Sequence, residues 1–233
     1  MPGCGKSLSA KAVSARWELP LYRLDMASIL GMWVGQSETR LRNALELADR
    51  VAPCVLWIDE IEKGLSSNRE SNGGTTTRMI GQFLFWLQES TAGAFVVATA
   101  NNVSTLPPEL MRQGRFDAMF FVDLPDAEER GEIARLYLRR YLKIAEPGGK
   151  LLADLVRLSD GFSGAEIDAA IKRLAERRRL GQLAAITRED YQDTFAFAPP
   201  FSRSHPEALA ELRTMRDRTV PASKRRGGAG PVY

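Results

Sequence analysis

Met1-Pro2-Gly3-Cys4-Gly5-Lys6-Ser7 is the stretch from which the rest of the chain is read, and it matches the second half of the pattern G-x-x-x-x-G-K-[ST]. A polyphosphate carries several negative charges on closely spaced oxygens. Backbone N–H groups at the start of a helix cradle such an anion, and the helix dipole adds to the attraction. Glycines let the backbone approach without a side chain in the way. The lysine then reaches the β- and γ-phosphates of a nucleoside triphosphate, and the hydroxyl after it ligates Mg²⁺. Gly3, Gly5, Lys6 and Ser7 fit those parts, and Cys4 and Leu8 in the same run are counted with them as nucleotide-binding candidates. An apolar-periodic helix is expected behind the loop, with Leu8, Ala12, Val13 and Trp17 on its face. A chance Gly/Lys/Ser turn would contain the same residues, so the later sequence has to decide.

Working outward, the next informative run is Cys54-Val55-Leu56-Trp57-Ile58-Asp59-Glu60, an apolar strand that ends in two acids. The first acid suits Mg²⁺, held directly or through water. The second can take a proton from an attacking water. A strand followed by a helix capped at Asp59 is the plainer alternative. Phe95-Val96-Val97-Ala98-Thr99-Ala100-Asn101 is another buried strand, and the Asn101 carboxamide at its end would orient the lytic water beside Glu60. Its plainer reading is a turn-forming Asn-Asn pair. In Leu110-Met111-Arg112-Gln113-Gly114-Arg115-Phe116-Asp117, two arginines flank a glycine. A guanidinium that reaches a transferring phosphoryl group is worth about 10³–10⁵ in rate. On a chain of this length such a finger would come from a neighbouring subunit. Taken alone, the two arginines read as solvated surface residues.

The organisation supports this reading. Up to about residue 122, helical patterns alternate with short apolar runs at Leu21–Leu24, Cys54–Ile58, Phe95–Ala98 and Met119–Val122. That alternation predicts a parallel sheet flanked by helices. After Leu124-Pro125-Asp126 everything reads helical: Ala127–Leu142, Leu151–Leu158, Gly164–Leu180, Arg188–Phe195 and Pro206–Arg216. The expected division is an α/β core over 1–124, a small all-α lid over 125–217 and a disordered tail over 218–233.

Composition bounds the rest. The 233 residues, 44% of them apolar, can form one α/β domain and a small helical one. With 32 basic against 29 acidic residues the charge is nearly balanced, which argues against nucleic acid as the partner. The two cysteines, Cys4 and Cys54, are too few and too far apart for a disulfide scaffold, so a reducing compartment such as the cytoplasm is expected. No apolar run approaches the roughly 20 residues that span a bilayer. His205, the single histidine, reads as part of a surface turn. The basic segment around Lys172-Arg173 and Arg177-Arg178-Arg179 reads as a solvated face or a subunit contact.

Taken together, these residues resemble the classical branch of the AAA+ ATPases, over roughly residues 2–195. PGCGKS looks like Walker A, and VLWIDEIE like Walker B. ATANN and LPPELMRQGRFD look like the sensor-1 stretch and second region of homology, and DGFSGAEI like the lid signature of that branch. APCVLWIDEIEKGLS with FVVATANN more closely resembles an AAA group found in cyanobacteria and plastids, whose members carry an extra N-terminal region; a plastid stroma is then the alternative location. The resemblance implies ATP and Mg²⁺ as cofactors. It implies Lys6 and Ser7 on phosphate and Mg²⁺, Asp59 supporting Mg²⁺, Glu60 activating water and Asn101 as sensor. It implies Arg112 and Arg115 as fingers acting across a homo-oligomeric, hexameric ring, and Gly164 and Ala165 near the adenine. It also implies a protein substrate. Met32-Trp33-Val34-Gly35-Gln36-Ser37-Glu38 looks like the family's pore loop, in which Trp33, Val34 and Gly35 would grip an extended polypeptide. Trp33 as an ordinary packing residue is the alternative. Ser37 is expected as a helix N-cap, and Gly64–Thr77 as a second pore-facing loop or a disordered one.

Members of the family have a strand directly before the phosphate loop, central in the sheet, between the strand ending in Asn101 and the one after Arg115. That strand and the first motif glycine do not precede Pro2 here. The expectation is a start codon assigned too late or a truncated gene, with a short subunit as the third account. Residues 1–233 alone are then expected to bind ATP weakly or not at all, and tight binding would refute this. Two other functions compete with protein remodelling: an ATPase acting on nucleic acid, and a catalytically inactive regulatory subunit.

Overall fold

The computed structural model describes residues 1–30, 36–65, 73–112, 114–183, 186–216 and 219–222. The chain divides into two compact units: residues 6–119 form one, and residues 1–5 with 120–233 the other.

The unit of residues 6–119 is built on three parallel strands in the order β1-β2-β3: β1 (Leu21–Leu24), β2 (Cys54–Ile58) and β3 (Ala94–Ala98). Leu21 pairs with Val55, and Cys54 with Ala94. All five β2 residues are buried, which fits a central strand covered on both faces. Side chains alternate across a strand. Leu56 and Ile58 therefore join one core with Leu41 and Leu45 of α3 (Gln36–Arg50) and Met79 and Phe83 of α5 (Gly73–Glu89). Val55 and Trp57 face the other way, towards α1 (Lys6–Trp17), whose Lys11 ammonium lies 5.7 Å from the Trp57 ring centre. Two short helices, α2 (Met26–Leu30) and α4 (Glu62–Leu65), pack on one another.

Several expectations meet differences here. The helix behind the phosphate loop forms, but its apolar residues do not bury: Leu8 is 58% and Trp17 50% exposed, while Ala10 is fully buried. A small side chain lets this helix lie close to the sheet, and Trp17 instead meets Phe95 edge to face at 4.6 Å. Ser37 lies inside the first turn of α3 and is buried, instead of preceding the helix as a cap. Helix α5 begins at Gly73, within the stretch expected to be loop.

The fourth apolar run contributes β4 (Phe120–Phe121), which does not join the three-stranded sheet. It pairs in parallel with β5 (Val220–Pro221), from the stretch expected to be unstructured, and the Ala222 amide donates to the Phe121 carbonyl at 3.0 Å. Met1 is buried in the same unit, and its ammonium donates to the Val122 carbonyl at 3.1 Å. The remainder of this unit is helical: α6 (Ala127–Tyr137), continued by a wider turn at Leu138–Leu142, then α7 (Gly149–Leu158), α8 (Gly164–Arg179), α9 (Arg188–Ala196), α10 (Phe201–Ser204) and α11 (Pro206–Arg213). Its core gathers Leu138, Leu155, Phe162, Ile167, Ile171 and Phe195. Capping boxes start three of these helices, at Asp126, Ser163 and Thr187, each satisfying backbone donors that a helix start leaves open. Arg130 is buried and binds α6 to the end of α7. It donates to the Pro125 carbonyl at 3.1 Å and the Val156 carbonyl at 3.3 Å, and pairs with Asp160 at 3.2 Å.

Candidate functional site

In parallel pairing, β2 and β3 end side by side, with Ile58 opposite Ala98. The residues that follow each strand are therefore neighbours. Asp59 and Glu60 come from β2, and Thr99 and Asn101 from β3.

The first pair of groups is Ser7 and Asp59. The Ser7 hydroxyl, in the first turn of α1, donates to Oδ1 of Asp59 at 3.0 Å. The donors are hard oxygens, the kind Mg²⁺ prefers. Their separation also suits that ion: neighbouring corners of an octahedron with bonds near 2.1 Å lie about 3.0 Å apart. The residues present thus fit a Mg²⁺ ion held by Ser7 and Asp59. The other Asp59 oxygen faces the Arg23 guanidinium at 3.9 Å, and Arg23 in turn lies over the Trp57 ring at 5.2 Å.

The second pair is Glu60 and Asn101. The Asn101 carboxamide nitrogen donates to Oε1 of Glu60 at 2.9 Å. Glu60 has a φ of 50°, the left-handed region that a non-glycine residue rarely occupies. Such a conformation costs on the order of 1–3 kcal/mol and persists only where the surroundings hold it. The Glu60 amide donates to the Thr99 hydroxyl at 3.2 Å, and the Ile61 amide to the Thr99 carbonyl at 2.9 Å.

Three residues around this cluster carry contacts that the motif reading did not assign. Thr99 donates its hydroxyl to Asp59 Oδ1 at 2.6 Å. Lys63, one turn on from Glu60, places its ammonium 2.5 Å from Glu60 Oε2. The hydrogen bond to Glu60 and the negative charges nearby raise the Lys63 pKa. Glu62 accepts the Asn101 amide at 3.0 Å through one oxygen, while its other oxygen is buried without a hydrogen-bond partner among the described residues. The Asp-Glu-x-Glu-Lys pattern in the sequence is the signal for Glu62 and Lys63. For Thr99 the signal is a lone hydroxyl within an apolar strand end.

The remaining candidates fall elsewhere. Gly3 and Gly5 have φ values of 70° and 86°, which only glycine adopts readily. The Gly3 carbonyl accepts the Ala165 amide at 3.0 Å, so Gly3 and Ala165 are brought together within one unit, at the start of α8. Gly164 lies next to them, 3.5 Å from the Gly3 carbonyl oxygen at the point where a Cβ would stand. The Cys4 thiol donates to the Pro2 carbonyl at 3.5 Å. Lys6 opens α1, and Leu8 follows it on the exposed side. Arg115 donates to the Glu109 carbonyl in its own unit, and Arg112 is exposed at the end of the short turn Pro108–Met111. Trp33, Val34 and Gly35 lie outside the described residues.

A parallel sheet flanked by helices, with paired acids and a carboxamide at its strand ends and a Gly-Lys-Ser helix start, defines the phosphate-loop nucleoside triphosphatases. Within that class the chain belongs to the AAA family: residues 1–124 match the family described as ATPase family associated with various cellular activities. Among curated relatives, it is 47% identical over 173 residues to the uncharacterized AAA domain-containing protein ycf46 of Trieres chinensis, covering 72% of this chain and 34% of that protein. The protein of the same name from Guillardia theta is 45% identical over 173 residues, 72% of this chain and 33% of the relative. These relatives agree with the cyanobacterial and plastid group that the motifs resemble. A more distant relative, the peroxisomal ATPase PEX1 of Arthrobotrys oligospora, is 35% identical over 172 residues, 73% of this chain and 14% of its own length. The chain spans about a third of the length of the ycf46 relatives it matches. Among the described residues, no helix is long and apolar enough to cross a membrane.

Proposed function

We propose that this domain binds ATP with Mg²⁺ and hydrolyses it to drive the remodelling or threading of protein substrates in a homo-oligomeric, hexameric ring. The observation that supports the reading is the pair of contacts Ser7–Asp59 at 3.0 Å and Asn101–Glu60 at 2.9 Å, which bring two hard oxygens, and a carboxylate with a carboxamide, to neighbouring positions. In this reading Lys6, with Gly3, Cys4, Gly5 and Leu8 around it, takes up the phosphates. Mg²⁺, when bound, offsets charge on the phosphate oxygens, and Ser7 and Asp59 are the residues that hold it. Asn101 orients the water. Glu60 accepts its proton as the water oxygen attacks the γ-phosphorus and the bond to the bridging oxygen breaks. Gly164 and Ala165 lie against the adenine. Arg112 and Arg115 act in the neighbouring subunit's site, where charge develops on the transferred group. Trp33, Val34 and Gly35 contact the polypeptide. A cytoplasmic or plastid stromal location goes with this reading.

Steady-state ATPase assays of the wild type and Glu60→Gln test it. General-base catalysis contributes about 10²–10⁴ in rate, so Glu60→Gln loses that factor and still binds nucleotide. Measurable hydrolysis at equal rates in both would sink the role of Glu60, and no hydrolysis by a wild type that binds ATP tightly would sink the enzymatic reading and leave the inactive regulatory one. Steeply salt-dependent binding to DNA would instead favour a nucleic-acid substrate.

A further inference from the structure

The strand ends contain one more polar side chain, and it touches both acids. Thr99 follows β3 directly. Its amide donates to the Ile58 carbonyl at 2.9 Å and its carbonyl accepts the Ile61 amide at 2.9 Å, so its backbone extends the pairing past the end of β2. Its hydroxyl donates to Asp59 Oδ1 at 2.6 Å and accepts from the Glu60 amide at 3.2 Å. A threonine hydroxyl has one proton to give, and here it goes to the carboxylate. At 6% exposure, Thr99 is shielded from competition by water.

We infer that Thr99 is a positioning residue that fixes both acids at once: it aims the Asp59 carboxylate for the cation and holds the Glu60 backbone in its left-handed turn. The inference rests on the ATPase reading above. Ser7 donates to the same Asp59 oxygen, but that hydroxyl is itself a cation ligand in the proposed reaction. Thr99 is not, so its bond remains to orient Asp59 when the cation is present. Outer groups that orient a metal ligand are typically worth about 10–100-fold in metal affinity or activity. Valine has the shape of threonine with neither the donor nor the acceptor, and serine keeps both.

The test uses the 233-residue chain as wild type, Thr99→Val, Thr99→Ala and Thr99→Ser, with three readouts. ATPase rate at saturating ATP is followed against free Mg²⁺. Binding of a fluorescent ATP analogue is measured in EDTA. Amide exchange at Glu60 and Ile61 is followed by NMR in the nucleotide-free protein. Thr99→Val and Thr99→Ala are expected to need about tenfold more Mg²⁺ for half-maximal rate and to turn over about 10–100-fold more slowly. Binding in EDTA stays unchanged, and Thr99→Ser restores the wild-type values. The Glu60 amide exchanges faster in both hydroxyl-free variants, whereas the Ile61 amide, bonded to backbone, stays protected. Wild-type Mg²⁺ dependence and rate in Thr99→Val and Thr99→Ala would overturn the positioning role, and so would unchanged exchange at Glu60. A wild type that binds the ATP analogue tightly yet hydrolyses no ATP at any Mg²⁺ concentration refutes the ATPase reading itself, and the role within it; a wild type that binds no analogue leaves the role to the exchange data, where unchanged exchange at Glu60 overturns it. Thr99→Ala keeps the test usable if valine disturbs folding.

Discussion

Gly3 concentrates two independent reasons for having no side chain. Its φ is 70°, and a Cβ built on it would stand 2.8 Å from the Ser163 hydroxyl and 3.0 Å from the Ala165 Cβ. Gly3→Ala therefore meets both backbone strain and a clash at the start of α8. A cost of about 1–3 kcal/mol is expected for such overpacking, read as a lower midpoint in urea unfolding followed by far-UV circular dichroism; an unchanged midpoint would contradict the packing described. The glycine itself was legible in the sequence as part of a phosphate loop. Its contact with Ser163 and Ala165, some 160 residues away, was not, because only folding brings those groups together. Glu60 shows the same division. Its identity as the second acid after a strand follows from the motif, while its left-handed φ of 50° and its amide's bond to the Thr99 hydroxyl belong to the fold.

Helix α9 carries its own pH dependence. Asp190 accepts the Thr187 amide and hydroxyl, each at 2.8 Å, and Arg177 lies 3.5 Å away. The Thr187 hydrogen bonds, and then the Arg177 charge, hold the Asp190 carboxyl below its ordinary value. A depressed folded-state pKa means that the contribution to stability is complete above the unfolded value of about 3.9 and is lost as pH falls through the folded value. Asp190→Asn is therefore expected to be less stable than wild type at neutral pH. The gap narrows as the pH is taken below about 4. Urea midpoints of the two proteins across pH 3–7 check this, and a gap that stays constant over the range would exclude the linkage. The helix expected at Arg188–Phe195 is observed at Arg188–Ala196, and its capping box at Thr187 is a local feature of that start. Helix α1 was equally visible, but not which of its faces is buried. Periodicity ranks residues by polarity, whereas the close approach of α1 to the sheet selected the small Ala10 over Leu8 and Trp17.

For the assembled protein, the proposed ring makes a prediction that no isolated subunit can satisfy. Glu60 and the fingers Arg112 and Arg115 would serve different sites. Homogeneous Glu60→Gln is expected to lose about 10²–10⁴ in rate, and homogeneous Arg112→Ala/Arg115→Ala about 10³–10⁵. Mixing the two before assembly pairs an intact Glu60 from one subunit with intact arginines from its neighbour, so part of the activity returns. A mixture as inactive as its components would argue against fingers acting across subunits. The sequence alone was enough to point to the AAA family, the parallel sheet with flanking helices and most of the later helices, because glycine-lysine-hydroxyl spacing and apolar runs act over a few positions. The three-dimensional fold was needed to show Thr99 bonded to Asp59 across 40 residues of sequence, Arg130 spanning two helices, and Phe120–Phe121 paired with Val220–Pro221. Those features depend on which distant hydrogen-bonding group arrives beside each donor or acceptor, and local sequence does not encode that.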